Sequence, residues 1–507
     1  MSAYKKINHI ATRSAPPRAS AMLESLRGLG YSTAAALADI VDNSISAGAT
    51  TVDIQFNWKE KSSNMHILDN GAGMSDQELE SAMTLGARNP LDARSTHDLG
   101  RFGMGLKTAS FSQCKRLTVA SKKNGDTSCL RWDLDLLTAN PDMGWVLIEG
   151  PAPGSEDLLG KLELLDHGTL VVWEVLDRIV TESFTVNDFL TLMEEQVERH
   201  LAMVFHRMLE GHNPKLRLNV NGKVIKAWDP FLSGHPAKPW TSPVQRHKTS
   251  CGDIEVQCHV LPHRDKLTDE EFDINGGPAG WNAQQGFYVY RNQRLLVAGG
   301  WLGLGQPRAW NREEPHRLAR IRLDIPNTAD ADWKIDVKKS VARPPVALRA
   351  WLTSMATDTR ERARRVFAYR GSPNSVISGK PIEQAWRVER TSKGIHYKID
   401  EAHPSIAAVF DDATPTQRDL ISTMLRVIEE TVPVQKIWLD TAAQKETPVT
   451  SFGSSSDEAV LKVIKTLFRN LVIRKGMDIE DAKSRLACTD PFQNFPHLIA
   501  QLSVPEP

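Results

Sequence analysis

Hydrophobic positions recur at helical spacing from about residue 18 to 47, and the chain then switches to period two, with Val52, Ile54 and Phe56 alternating against polar neighbours. The first pattern predicts a helix and the second a half-buried strand. A further strand through Met65 and Ile67 stops at Asp69. Residues 162–176, LELLDHGTLVVWEVL, read as strand, turn and strand, whereas 182–210 carries helical spacing through Phe189, Leu190, Met193, Val197, Leu201, Val204 and Phe205. We place a domain boundary near 180. Beyond it, LRLNVNGKVI, IEVQCHV, GFYVYRNQRLLV and LARIRLDI predict the strands of a second α/β segment, the first turning at Asn221-Gly222, a strong hairpin dipeptide. Residues 346–369 predict a helix, and GSPNSVISGKP after it reads as a linker. The rest predicts a mostly helical module interrupted by the polar run ETPVTSFGSSSDE. The resulting division is a basic N-terminal arm (1–20), a first domain (21–180), a second (181–370), a linker (371–385) and a C-terminal accessory module (386–507).

Length and composition narrow this picture only a little. A chain of 507 residues fits about two to four domains. With 41% hydrophobic and 24% charged residues it is an ordinary globular composition, so disorder does not dominate. The formal net charge is zero, so any nucleic-acid contact must come from a local patch. The arm has no apolar signal core and no run of 18 apolar residues occurs, which predicts a soluble cytoplasmic protein without membrane contact. Five cysteines without a CxxC pair make no disulfide framework. His247, Cys251, Cys258, His259 and His263 lie at loose metal-ligand spacing, but Ile254, Val256, Cys258 and Val260 alternate as a half-buried strand, which turns Cys258 into a core.

Four local patterns in the first domain describe one chemistry when taken in order. In ALADIVDNSISAGAT, Asp39 and Asn43 stand four apart on one helix face. An amide oxygen there can ligate Mg²⁺ while the carboxylate positions water; the plain alternative is two solvated side chains. Asp69-Asn70-Gly71-Ala72-Gly73-Met74 follows a strand, where the glycines admit a flat ligand and the carboxylate can accept from an adenine amino group. The same residues would also make a tight turn. Gly100 to Ser110, GRFGMGLKTAS, is a glycine-rich loop opening a helix, whose free amides and Lys107 suit phosphate oxygens. Its GxxGxG order is neither the GxGxxG of a dinucleotide fold nor a P-loop. Gly168-Thr169 lies on a strand whose hydroxyl can reach a base edge.

Together these segments resemble the motifs of the GHKL superfamily, shared by gyrase B subunits, MutL, histidine kinases, heat-shock chaperones and MORC proteins. The resemblance implies an α/β Bergerat-fold ATPase sandwich that binds ATP and Mg²⁺ and hydrolyses the nucleotide. It implies Asp39 as general base, Asn43 as Mg²⁺ ligand and Asp69 as the adenine-reading acid, with Gly71, Gly73, Met74 and Thr169 around the base. Gly100, Gly103, Met104, Gly105, Leu106, Lys107 and Thr108 take the phosphate-binding positions, and the stretch from about Met83 to Phe102 that of a mobile lid. Two departures stand out. Asp39 replaces the usual Glu and is one methylene shorter, which puts the helix closer to the γ-phosphate or slows hydrolysis. Ser46 stands where MutL-like sequences commonly carry Asp.

A histidine kinase carries its ATP domain after a phospho-accepting helix, which excludes that branch. VNGKVIKAWDPF, GFYVYRNQRLLV and DWKIDVKKS resemble the transducer domain, of ribosomal-protein-S5 type, that follows the ATPase in MutL, topoisomerases and MORC proteins. There a loop lysine reaches the γ-phosphate; Lys339 is the candidate, with Lys338 beside it, although both would equally serve to end an edge strand. The nearest likeness is to prokaryotic MORC-like ATPases, which implies an ATP-dependent homodimer acting as a clamp on DNA in restriction-modification or phage defence. The alternatives are a chaperone-like or signalling ATPase acting on a protein, and a topoisomerase B-type subunit. No MutL-type metal-nuclease motif occurs, so any cutting falls to a separate effector or nuclease. Residues 338–370 hold nine basic and two acidic residues, and Arg362, Arg364 and Arg365 are the expected DNA contacts, unless that face is merely solvated or packs on an acidic subunit.

Overall fold

The computed structural model describes residues 17–87, 105–249, 252–329, 332–336, 341–369, 383–391, 394–434 and 457–503, together with Arg13, Lys339 and Ile437. Where the spacing predicts one helix to residue 47 there are two, α1 (Ala19–Arg27) and α2 (Thr33–Ser46). Gly28 caps α1 and Gly30 takes φ +70°, a left-handed conformation that interrupts the ladder. Ser32 restarts it, its hydroxyl accepting from the Ala35 amide. β1 (Thr51–Asn57) alternates as predicted and β2 (Asn64–Asp69) ends at Asp69. A capping box of Ser75 and Glu78 opens α3 (Asp76–Met83).

There follow α4 (Gly105–Phe111), β3 (Arg116–Lys123), β4 (Asp126–Asp133), α5 (Leu134–Ala139), β5 (Ile148–Glu149), α6 (Gly160–Glu163) and β6 (Gly168–Glu174). Of the two strands predicted over 162–176 only β6 forms. Leu162 belongs instead to α6, buried among Ala120, Leu170 and Val172 on one face of the sheet. Residues 186–209 are helical as expected, in α7 (Val186–Thr191), a π-helical turn (Leu192–Glu198), α8 (Arg199–Val204) and α9 (His206–Leu209).

The expected boundary near 180 is corrected. β7 (Arg217–Val220) lies parallel to β1, and β8 (Lys223–Val224) pairs with it through the Asn221-Gly222 turn. Both complete an eight-stranded sheet in the order β5-β4-β3-β6-β2-β1-β7-β8. One hydrophobic core accordingly runs from Leu23 to Ile225. The hairpin signal is sound, but it sits at the edge of the first sheet, because only the parallel partner of β1 covers that edge.

The second domain contains β9 (Trp240–Thr241), β10 (Gln245–Thr249), β11 (Gly252–Val260), α10 (Asp269–Asn275), α11 (Gly280–Ala283), β12 (Gly286–Arg291), β13 (Arg294–Ala298), β14 (Ala319–Asp324) and α12 (Val346–Tyr369). Its sheet runs β10-β11-β14-β12-β13, with β9 also on β11. Cys258 is buried in this core, and α12 packs Leu352, Ala356 and Ala363 into it. The two domains meet where Met203 of α8 enters a cluster of Phe231, Tyr288, Tyr290 and Leu295. Beside it Arg207 pairs with Asp324 at 2.5 Å and lies 3.7 Å over the Tyr290 ring.

The C-terminal module opens on a hairpin, β15 (Trp386–Thr391) and β16 (Gly394–Ile399), which the expectation of a mostly helical module missed. Helices α13 (Pro404–Asp412), α14 (Pro415–Thr431), α15 (Asp457–Arg469), α16 (Ile479–Ala487) and α17 (Pro496–Ala500) follow. Glu383, expected within the linker, already exchanges backbone hydrogen bonds with Cys488 and Asp490; residues 371–382 lie outside the described residues. Among the described residues no helix is long and apolar enough to cross a membrane.

Backbone closeness in the first domain yields a test. A Cβ on Gly73 would stand 2.0 Å from the Lys122 carbonyl oxygen, at φ +67°, whereas one on Gly160 would meet nothing within 4 Å. Gly73→Ala is expected to lower unfolding free energy by about 2 kcal/mol or more. Gly160→Ala, at an ordinary helical φ, is expected to be neutral or stabilising by about 0.5 kcal/mol in the same urea titration.

Candidate active site

Helix α2 sets the centre of the site. Asp39 and Asp42 are one turn apart on it, and both are almost fully buried. The second domain brings two cations to them. Arg294, first residue of β13, places Nε 3.1 Å from both Asp42 oxygens and Nη2 3.8 Å from Asp39 Oδ1. Lys339, at φ +54°, places Nζ 3.0 Å from Asp39 Oδ1 and 2.5 Å from Asp42 Oδ2. Two anions and two cations therefore share one largely buried volume and sum to zero charge. Burial alone would raise the Asp42 carboxyl, but Arg294 and Lys339 hold it below the ordinary carboxylate range.

The other Asp39 oxygen, Oδ2, accepts from the Tyr31 hydroxyl at 3.0 Å. Burial, and then the charge of Asp39, push that phenol well above its usual value, so it remains a donor at neutral pH. Gly105 opens α4 beside the same carboxylate: a Cβ there would lie 4.0 Å from Asp39 Oδ2. The end of the glycine-rich loop thus adjoins the expected base. Asn43, a turn further along α2, is exposed, and its amide has no side-chain partner among the described residues.

A second cluster lies at the end of β2. Asp69 is 5% exposed; Oδ2 accepts from Ser44 Oγ at 2.7 Å and Oδ1 from the Gly71 amide at 2.9 Å. Burial raises its carboxyl above the usual value, against the lowering effect of these hydrogen bonds. Asp69 pairs in register with Thr169 on β6, whose hydroxyl meets Ser121 Oγ at 2.9 Å. Ser121 also accepts from the Met74 amide, so Asp69, Gly71, Met74 and Thr169 surround one spot. Gly73 follows the same backbone, held against Lys122 and Gly168.

Lys107 departs from expectation. It is 2% exposed, and its ammonium donates to the carbonyls of Ala82 (2.7 Å) and Thr84 (2.9 Å) at the C-terminal end of α3 rather than standing open to a phosphate. A cation satisfies the unpaired carbonyls of a helix end, and this one ties α4 to the start of the expected lid. Leu106 packs on the core and Thr108 is buried. Gly100, Gly103, Met104, Lys338 and most of the lid lie outside the described residues.

The basic stretch does not form one free patch. Lys339 is in the ion cluster, and Arg360 is buried against the Trp301 and Trp310 rings, with Glu313 beside it. Arg362 lies 4.5 Å over Trp240, yet it, Arg364 and Arg365 remain exposed. Arg370 lies outside the described residues. Sequence reasoning also missed Arg294, Tyr31, Ser44 and Ser121. Asp42 had a signal, an acid three residues after Asp39 on the same helix. Arg294 had none, being one of several arginines around a hairpin.

Residues 31–169 match the family described as "Histidine kinase-, DNA gyrase B-, and HSP90-like ATPase". The chain is 32% identical over 95 residues to ATPase morc-1 of Caenorhabditis elegans, which covers 19% of this chain and 11% of that protein. It is 34% identical over 101 residues to ATPase MORC2B of Mus musculus (19% and 10%), and 34% over 98 residues to ATPase MORC2 of Homo sapiens (19% and 9%). The chain thus spans about a tenth of the length of these relatives. Fold, site and comparisons together define the class: the N-terminal domain belongs to the GHKL, MORC-like ATPase superfamily and is of nucleotide-binding type. The residues present fit the ligands this class takes. The exposed Asn43 amide is a hard oxygen donor suited to Mg²⁺, and the buried Asp69 is an acceptor suited to an exocyclic amine.

Two outcomes follow. Asp42→Ala leaves Arg294 and Lys339 buried without their main counterion and is expected to cost about 3–5 kcal/mol of stability, read by urea unfolding. A loss below about 1 kcal/mol would mean that the cluster is not closed in solution. The second concerns pH. Asp69 is a charged, acceptor-only group when ionised, and burial raises its carboxyl, so this stronger acceptor is weakened by protonation on acidification at higher pH than an ordinary carboxylate of pKa ~3.9. ADP affinity titrated from pH 7 to 4.5 is expected to weaken over that interval in the parent, with a flatter profile in Asp69→Asn.

Proposed function

We propose that the chain hydrolyses ATP to ADP and phosphate, and that nucleotide occupancy switches it between open chains and a closed homodimeric clamp on DNA, in the phage-defence setting implied by its likeness to prokaryotic MORC-like proteins. The observation that carries this reading is the contact of Lys339 with Asp39, which joins the second domain to the expected base. Asp39 takes the proton of the attacking water, and Tyr31 holds the carboxylate in orientation. Asn43 ligates Mg²⁺, which when bound offsets the charge of the phosphates. Asp69 reads the adenine amine, with Gly71, Gly73, Met74 and Thr169 around the ring. Gly100, Gly103, Met104, Gly105, Leu106 and Thr108 cradle the phosphates. Lys339 can serve either the carboxylates or a γ-phosphate, and its transfer from one to the other uncovers Asp39 as it repositions the second domain. Lys107 acts at the lid, where it holds the end of α3.

DNA contact falls to the exposed Arg362, Arg364 and Arg365, which bind phosphates without reading sequence. Cutting, if it follows, belongs to a separate effector.

Asp39→Asn preserves shape and removes the base. Hydrolysis is expected to fall about 10²-fold or more with ATP binding retained, and the variant should accumulate as an ATP-bound dimer on size exclusion. Parental turnover in that variant would remove Asp39 as base, and a variant that stays monomeric would end the clamp reading. Duplex DNA is expected to stimulate the parent, with binding that weakens steeply with salt. No stimulation would move the clamped substrate to a protein partner.

A further inference from the structure

A cleft of about 700 Å³ opens between the domains on the N-terminal side of Asp39. Ala35, one turn before Asp39 on α2, is on its wall, whereas Asn43, one turn after, is not. At 1.5 Å rise per residue these two positions are about 12 Å apart along the helix. Asp69, Gly73 and Thr169 are also absent from its walls. The cleft is therefore distinct from the cluster around Asp69, and it meets the carboxylate pair through Arg294 and Lys339 on its wall.

Among the described residues its charges are all of one sign, because no Asp or Glu of theirs lines it. Arg294 and Lys339 reach it already compensated by Asp42 and Asp39. Three further guanidiniums have no such compensation among the described residues. Arg349 donates to the Gly303 carbonyl at 2.9 Å, and Arg312 and Arg343 are exposed without a side-chain partner among the described residues. His200 adds no charge at neutral pH, since burial and then Arg294 push it down to about 4. The remaining wall is largely apolar, with Met203, Val297 and Leu302.

Such a wall decides the ligand. Guanidinium forks match phosphate oxygens in geometry and charge. The apolar strip offers nothing to a bare phosphate but shelters a carbon skeleton, and the volume is that of an ordinary small-molecule site. A duplex is too wide to enter and would meet only the rim. We propose that the cleft binds a small organic phosphate, its phosphate on Arg312, Arg343 and Arg349 and its carbon portion against Met203, Val297 and Leu302. Because Lys339 borders the cleft, an occupant offers its ammonium a second anion, so occupancy alters turnover. That consequence rests on the hydrolytic reading above; the binding does not.

The test is calorimetric titration of phenyl phosphate into the full chain with saturating ADP and Mg²⁺, which keeps the nucleotide pocket filled. Saturable binding is expected, tighter than that of inorganic phosphate, and weakened about tenfold or more in Arg312→Ser/Arg343→Ser. Should the double variant fail to fold, as judged by its melting curve, Arg343→Ser alone carries the test with a smaller loss in the same direction. The proposal is overturned if phenyl phosphate does not bind the parent, if the variants bind it equally, or if inorganic phosphate binds as tightly. A short duplex that requires these arginines when phenyl phosphate does not bind would reassign them to nucleic acid. Failure of ADP itself to bind, measured separately, would count against the nucleotide reading and leave the phenyl phosphate result to be read on its own.

Discussion

Two carboxylates on one helix turn and two cations from another domain form the contact on which the rest of the molecule depends. Asp39, Asp42, Arg294 and Lys339 have side chains with under a tenth of their surface exposed. Each charge would be costly to bury alone, and the cluster is tolerable only because it is complete. The second domain is therefore not free to leave α2 without exposing Asp39 and Asp42 to water or leaving them unpaired. Domain position and the electrostatic state of the expected base become one variable. Arg294 is fixed by its strand and holds Asp42 through both carboxylate oxygens, whereas Lys339 sits on a loop in a left-handed conformation. The rigid cation keeps the domains in register; the loop cation is the one placed to exchange partners.

A second joint lies along the helical run 186–209, which packs on the first sheet through Phe189, Met193 and Val197 and enters the second domain through Met203. Arg207 stacks over Tyr290 while pairing with Asp324, and His206 Nε2 meets the Tyr290 hydroxyl at 2.7 Å. His206 is pushed down to about 4, chiefly by burial, so this joint stays uncharged on its histidine at neutral pH. This joint carries none of the residues expected to meet nucleotide, whereas the charged joint carries Asp39.

The residues expected to form the nucleotide pocket are legible because their motifs are local. Asp39 and Asn43 share a helix face, Asp69 ends a strand, and Thr169 lies on the neighbouring strand, each readable from a short window. What was not legible is everything set by long-range pairing. Arg294 meets Asp42 across 252 positions, and no periodicity announces which hairpin arginine does so. The domain boundary failed for the same reason: 217–224 reads as a hairpin anywhere, and only its parallel pairing with β1 assigns it to the first sheet. Counting charge over 338–370 treated every cation as free, yet Lys339 and Arg360 are held by their neighbours. The glycine-rich loop alone points Lys107 toward phosphate, but the loop also passes a helix end whose carbonyls compete for it.

That competition bears on the shortness of the base. An aspartate in place of the superfamily's usual glutamate has one torsion fewer, and here both of its oxygens are engaged, one by Tyr31 and one by Lys339. Such a carboxylate is well oriented but poorly available, since its proton-accepting capacity toward water is diminished while the ammonium stays in place. On the proposed hydrolytic reading Lys339 must move away, and an anion at the phosphate end of the pocket would have to compete with two carboxylates for it. Lys107 by contrast donates to the neutral carbonyls of Ala82 and Thr84, so the hold on the end of α3 includes contacts with weaker acceptors than the carboxylates that hold the second domain to α2.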